Sequence, residues 1–361
     1  MQELVRQETE QLEEIKKQIL PLDERSMEAA RKRWFTVAKP LFSLGKLEDA
    51  VIQMAGIRRN PDFELKKKGL IIMCADNGVV EEGVTQTGQN VTAAVADNFT
   101  KGMSSACIMA KEANVDVFPV DIGMVTDVPS VTNMQDKVAY GTANFAKGPA
   151  MTREQVWQAI LVGIRKVIEK KKEGYDLLAT GEMGIGNTTT SSAVAAVLLQ
   201  EKVPDVTGRG AGLSSIGLQN KIRVIETAIS DLRPDENDVI DVLAKVGGLD
   251  IAGLCGVFLG GGMYRLPVVI DGFISAAAAL CAVRLVPEVS GYLLPSHVSK
   301  EPAGKKILDA LGKSPFLTCD MCLGEGSGAI AAIPLMEMGY KVYKEMGTFG
   351  DMEIEQYQIL K

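Results

Sequence analysis

Short apolar runs separated by amphipathic stretches organise this chain. From Gly69 onward, runs at residues 70–75, 115–122, 176–180, 266–270 and 292–294 end in Gly or Asp, a length and flanking pattern that suits buried strands. The stretches between them read as helices with defined ends. Thr152 and Gln155 form a capping-box pair ahead of residues 156–168, and Gly247 closes the run 239–246. Such alternation predicts an α/β fold, a Rossmann-like parallel sheet with flanking helices, whose site lies at the carboxyl edge of the strands. Residues 1–35 differ. Leu4, Leu12, Ile15 and Ile19 recur at helical spacing among charges and the pattern breaks at Pro21, which predicts exposed helices rather than core.

Composition narrows the class. The 361 residues are 46% apolar and 24% charged, with 36 glycines, which suits a large globular core with many special turns. A net charge of −7 argues against a nucleic-acid footprint, which needs clustered Lys and Arg. The six cysteines fall mostly within apolar segments, and the first 20 residues show no apolar leader core, so a soluble protein of the reducing cytoplasm is expected. The most apolar tract, residues 251–283, contains Arg265, Pro267 and Asp271 and reads as core rather than a membrane span.

Four loops carry candidate chemistry. In residues 177–192 a strand runs into Gly181-Glu182-Met183-Gly184-Ile185-Gly186-Asn187-Thr188 and then a helix start, where backbone N–H groups and the helix dipole favour an anion such as phosphate. Residues 207–212, Thr-Gly-Arg-Gly-Ala-Gly, resemble a dinucleotide fingerprint only superficially. They are read as a loop delivering Lys221 toward the phosphate, against the alternative of a solvated surface lysine. In residues 323–328, Leu-Gly-Glu-Gly-Ser-Gly, Glu325 stands unshielded among glycines. Apolar surroundings would raise its pKa and make it a general base, whereas a helix N-terminus would lower it, and the sequence leaves both readings open. The fourth loop, Ala75-Asp76-Asn77-Gly78-Val79 leading to Gln86 and Gln89, ends a strand and either faces the cleft or is a structural turn.

Several chemistries are disfavoured. A single histidine, His297, excludes a two-histidine mechanism or a multi-histidine metal site within one chain. Cys319 and Cys322 form one CxxC without a second pair, too few ligands for structural zinc, and are read as two helix-facing thiols. Gly312-Lys313-Ser314 lacks the leading glycine of a P-loop, since Ile307 stands there. The acidic phosphoribosyl-pyrophosphate motif is also missing, so a sugar phosphate would come from another donor.

Taken together, the loops resemble the nicotinate-nucleotide:dimethylbenzimidazole phosphoribosyltransferase (CobT) family. The likeness runs through residues 40–48, 75–92, 181–189, 208–212, 243–248, 266–273, 295–297 and 323–329. It implies transfer of ribose 5-phosphate from nicotinate mononucleotide to an aromatic lower-ligand base for cobamide assembly, with inversion at C1′ and without a metal or cofactor. By the same resemblance Glu325 is the general base and Glu182 the second carboxylate at the ribose. Gly184, Gly186, Asn187, Thr188, Lys221 and Ser299 would hold phosphate and ribose, and Asn77, Gln89, Leu323 and Gly324 would border the acceptor. A large α/β domain over 36–330 and a small helical domain from 1–35 and 331–361 are implied, working as a homodimer. The sequence departs from the family at Asn77, where a histidine is usual, and at residues 85–89, where Thr-Gln-Thr-Gly-Gln replaces Ser-x-Tyr-Pro-Gln. Some relatives take phenolic acceptors as heterodimers of paralogues, so both the acceptor and a paralogue partner stay open.

Overall fold

The computed structural model describes residues 2–359, and the Leu4 side chain lies outside what is described. Helices α1 (Gln2–Gln18), α2 (Glu24–Thr36) and α3 (Lys46–Arg58) precede strand β1 (Lys68–Ala75). Helices α4 (Asn90–Thr100) and α5 (Ser105–Glu112) lead to β2 (Asp116–Gly123), and α6 (Arg153–Lys172) leads to β3 (Leu177–Met183). After β3 come α7 (Asn187–Leu199), α8 (Val203–Val206), α9 (Ser215–Leu232), α10 (Val239–Val246) and α11 (Leu249–Tyr264). Strand β4 (Val268–Ile270), α12 (Phe273–Leu285), β5 (Leu293–Pro295), α13 (Pro302–Ala310) and α14 (Ser327–Glu345) complete the order.

The strands form one sheet in the order β2-β1-β3-β4-β5, every pairing parallel. All five predicted strands are present, within a few residues of their predicted bounds. The residues of β1 are buried from end to end, because a parallel sheet is covered on both faces and cannot show apolar–polar alternation. One face packs on α6, α7, α10, α11 and α12 through Ile71, Met73, Leu178 and Val268. The other packs on α3, α5 and α14 through Leu70, Ile72, Cys74 and Val269, and α2 joins this core by Ala30 and Trp34. The amino-terminal helices are therefore less exposed than their charge suggested, since Ile15, Ile19 and Trp34 are buried. The Thr152 capping box forms as expected, with Gln155 N–H donating to Thr152 Oγ1 at 3.2 Å and Thr152 N–H to Gln155 Oε1 at 2.9 Å. Among the described residues no helix is long and apolar enough to cross a membrane.

This strand order reverses direction between β1 and β3. Crossovers leave those two strands on opposite sides of the sheet, so a crevice opens beyond their carboxyl ends.

Candidate active site

A cleft of about 240 Å³ occupies that crevice, lined by Glu182 from β3, the Gly184–Gly186 turn, Asp271 after β4, His297 after β5 and the loop carrying Glu325. Each of these strands thus contributes residues at or just past its carboxyl end.

The turn after β3 is pinned from the β1 side. Ile185 N–H donates to Thr92 Oγ1 at 3.1 Å, and Asn77 Nδ2 donates to the Ile185 carbonyl at 3.4 Å. Gly186 adopts φ 95° as the N-cap of α7 and no side chain makes a capping hydrogen bond to that helix, whose amino end faces the cleft. Thr188 Oγ1 accepts from Lys221 Nζ at 2.8 Å, and the same ammonium donates to the Gly208 carbonyl at 3.2 Å. Lys221 is wholly buried, and this burial pushes its pKa down to about 8, partly offset by Glu301. The glycine loop 208–212 meets the cleft through Arg209 and Gly210, and the Gly210 N–H donates to Glu301 Oε1 at 3.1 Å.

The acidic side is built around Glu325. Its φ of 61° lies between Gly324 at 91° and Gly326 at 86°, three successive residues in the left-handed region. The glycines are sterically required, because a Cβ on Gly324 would strike Glu182 Oε1 and one on Gly326 would strike Leu70. A non-glycine residue held there costs of order 1–2 kcal/mol, so other contacts must hold the loop. Asp271 supplies them. It accepts N–H groups from Gly326 (3.2 Å), Gly328 (2.7 Å) and Ala329 (3.0 Å), which seats the amino end of α14 on the end of β4. Burial raises the Asp271 pKa, while nearby His297 and the N–H groups of Ala329, Gly272 and Gly328 oppose the rise.

The two readings left open for Glu325 both hold in part. Burial raises its pKa, yet its Oε2 accepts the Ala106 N–H at 3.3 Å, and this contact and the nearby Ser104 hydroxyl at the amino end of α5 pull the other way. Glu182 is pushed up to about 8, first by burial and then by repulsion from Asp250. Asn187 Nδ2 donates to Glu182 Oε2 and, at 3.0 Å, to Asp250 Oδ2. Its amide nitrogen is thereby spent on carboxylates, and since the Asn187 and Thr189 N–H groups donate to the Gly184 and Gly186 carbonyls at 3.0 and 2.9 Å, the Thr188 N–H is the one this helix end keeps for an anion.

Of the residues singled out from the sequence, Glu182, Gly184, Gly186, Asn187, Thr188, Ser299, Leu323, Gly324 and Glu325 line one cleft. Lys221 stands behind Thr188 rather than on the wall. Asn77 is wholly buried beneath the turn, and Gln89 Nε2 donates to the Asn77 carbonyl at 3.3 Å, so both brace the site from below. Sequence reasoning missed Asp271, Asp250, Ser104 and Glu301 as parts of the site. Asp271 had a usable signal, its place directly after a buried strand. Asp250 had none, since an acid in the first turn of a helix reads as ordinary dipole compensation. The helix-facing reading of Cys319 and Cys322 is corrected, because both thiols are exposed in the loop before Leu323, where Gly324 and the Asp271 clamp delay the helix to Ser327.

The chain matches the family described as Phosphoribosyltransferase over residues 19–354. It is 50% identical, over 97% of its length and 99% of the relative's, to the nicotinate-nucleotide–dimethylbenzimidazole phosphoribosyltransferase of Ruminiclostridium cellulolyticum. With the protein of that name from Acetivibrio thermocellus the identity is 49%, covering 95% of this chain and 97% of the other. The crystal structure of CobT from Thermus thermophilus superposes with a TM-score of 0.87 at 36% identity, covering 92% of this chain and 100% of that one. Likeness of this extent, in sequence and in fold, means that the chain belongs to the nicotinate-nucleotide–dimethylbenzimidazole phosphoribosyltransferase family.

Proposed function

We propose that this enzyme transfers ribose 5-phosphate from nicotinate mononucleotide to an aromatic lower-ligand base, releasing nicotinate and forming an α-riboside 5′-phosphate. The observation that carries this reading is the opposition, across one cleft, of the open amino end of α7 and a carboxylate presented on a strained glycine loop. The first suits a phosphate that does not react, and the second suits a proton acceptor beside the sugar.

In the proposed mechanism the mononucleotide phosphate rests on the backbone of Gly184, Gly186, Asn187 and Thr188. Lys221 adds charge through Thr188, and Ser299 stands beside the ribose. The pyridinium–ribose bond is already activated, because nicotinate leaves with the bonding electrons as a neutral aromatic ring. The acceptor nitrogen attacks C1′ from the opposite face, inverting β to α, and Glu325 takes its proton. Glu182 offsets positive charge on the sugar as the bond breaks. Alignment of two ligands in one dry cleft contributes as much as about 7–11 kcal/mol in well-oriented systems. Gly324, Leu323, Gln89 and Asn77 border or brace the acceptor end. A homodimer in the cytoplasm, built from a large α/β domain over 36–330 and a small helical domain from both chain ends, completes the reading.

The purified chain alone, incubated with nicotinate mononucleotide and a panel of benzimidazoles, purines and phenols, should release free nicotinate. Absence of release with every base, in a folded protein that binds the mononucleotide, would overturn activity of the chain on its own and leave the heterodimer arrangement.

A further inference from the structure

The proposed chemistry makes no use of Asp250. This residue lies in the first turn of α11, wholly buried, with Oδ1 accepting the Ile251 N–H at 3.0 Å and Oδ2 accepting Asn187 Nδ2 at 3.0 Å. The same Nδ2 serves Glu182, so two buried carboxyl groups share one amide. The groups facing them are almost all acidic. Asp76, after β1, acts on Asp250, while Asp271 and Glu325 act on Glu182. Cys74 in β1 is a buried thiol near both, and His297 faces Asp271. Among the described residues no Lys or Arg forms an ion pair with Glu182, Asp250, Asp76, Asp271 or Glu325. Lys137, whose charge reaches Asp76, is paired with Asp121 and Asp127. Lys221 is engaged by Thr188 and Gly208.

Two adjacent carboxylates shielded from water and without a cation do not both ionise, so the pair retains a proton near neutral pH. A ligand with a fixed positive charge set against Glu182 removes the reason for keeping it. We propose that Asp250 is a specificity residue acting through Asn187 and Glu182: a nucleotide whose glycosidic nitrogen is a cationic pyridinium, with any ring carboxylate lying away from C1′, displaces the proton held by the Glu182–Asp250 pair, whereas a nucleotide with an uncharged glycosidic nitrogen leaves it in place. The inference rests on the mononucleotide reading above, in which Glu182 lies beside the reacting ribose. Burial pushes Glu182 up to about 8 and Asp250 up to about 6, which places the exchange around neutral pH. Glycosyl transfer replaces a pyridinium nitrogen at C1′ with an uncharged one, so the pair takes a proton back from solvent and its preference for the occupant is lost at that step.

The test is proton release on binding to the full chain, measured by titration calorimetry in buffers of different ionisation heat between about pH 6.5 and 8.5, the range that brackets the exchange. Nicotinate mononucleotide is compared with the α-riboside 5′-phosphate of a neutral benzimidazole, since the phosphate itself titrates near about pH 6 in both ligands. Near neutral pH the pyridinium nucleotide should release up to about one more proton than the benzimidazole one, and its relative affinity should rise with pH by at most about tenfold per unit. Asp250→Asn should reduce the difference by at least half while leaving proton release by the neutral-base ligand unchanged, a readout that a merely structural residue would not move. If that variant does not fold, the wild-type difference decides. Equal proton release by the two ligands, with turnover intact, overturns this inference alone. Absence of both mononucleotide binding and turnover overturns the proposed function, and this inference with it.

Discussion

Replacing Asp271 with Asn should loosen the loop that presents Glu325. In the native site Gly326 N–H donates to Oδ2, while Gly328 and Ala329 N–H donate to Oδ1. An Asn side chain can keep its oxygen on the latter two, but then aims its amide nitrogen at the Gly326 N–H. One charge-assisted bond is lost, about 1.5–3 kcal/mol, and a buried N–H faces a donor, about 1–3 kcal/mol. The released segment includes Glu325 with its φ of 61°, which relaxes once the clamp fails. Misplacement by about 1 Å costs on the order of a hundredfold in rate. The expected outcome is a loss of about 3–5 kcal/mol in urea denaturation together with a kcat lowered about a hundredfold and a mononucleotide KM within a few-fold. Stability within about 0.5 kcal/mol of wild type, or full activity, would refute the clamp.

Three other outcomes are expected. Lys221→Ala removes the donor behind Thr188 rather than a direct phosphate contact, so mononucleotide binding should weaken by about 0.5–1.5 kcal/mol with kcat little changed, and calorimetric affinity beside steady-state kinetics separates the two. Glu182, held up to about 8 by burial and then by Asp250, keeps in the folded state a proton that the unfolded chain releases from about 4.5 upward. Stability should therefore fall as pH rises from about 4.5 to about 8, and Glu182→Gln should raise the melting temperature at about pH 8 more than at about pH 5 if this sign is right. Thr87 lines the cleft where the resemblance leads one to expect an aromatic residue, so mixed-acceptor competition should give product ratios within about tenfold, or about 1.4 kcal/mol, among benzimidazole, purine and phenol. A preference above a hundredfold for dimethylbenzimidazole would contradict a relaxed wall.

The sheet is legible in the chain because its strands, four of them buried almost throughout and β2 in its second half, leave short, mostly apolar runs, and the Thr152 capping box and the Gly247 stop follow from local backbone chemistry alone. The glycine turns were legible for the same reason. Tertiary placement was not. Asn77 follows a strand and so reads as a cleft residue, yet its side chain points beneath the turn to the Ile185 carbonyl. Asn187 reads as an anion donor, but two carboxylates claim its amide nitrogen. Glu325 was read from its loop, whereas the clamp at Asp271, far earlier in the chain, has no mark in that loop. The CxxC spacing suits a helix, yet both thiols are exposed in a loop, because α14 starts only at Ser327.

The central claim is that Glu325 removes the acceptor's proton while the opposite side of the cleft holds the mononucleotide. Glu325→Gln keeps the shape of the side chain and cannot take a proton, so nicotinate release should fall by about 10²–10⁴-fold with mononucleotide affinity within a few-fold of wild type. Near-normal turnover in that variant would remove Glu325 from the base role and contradict the account.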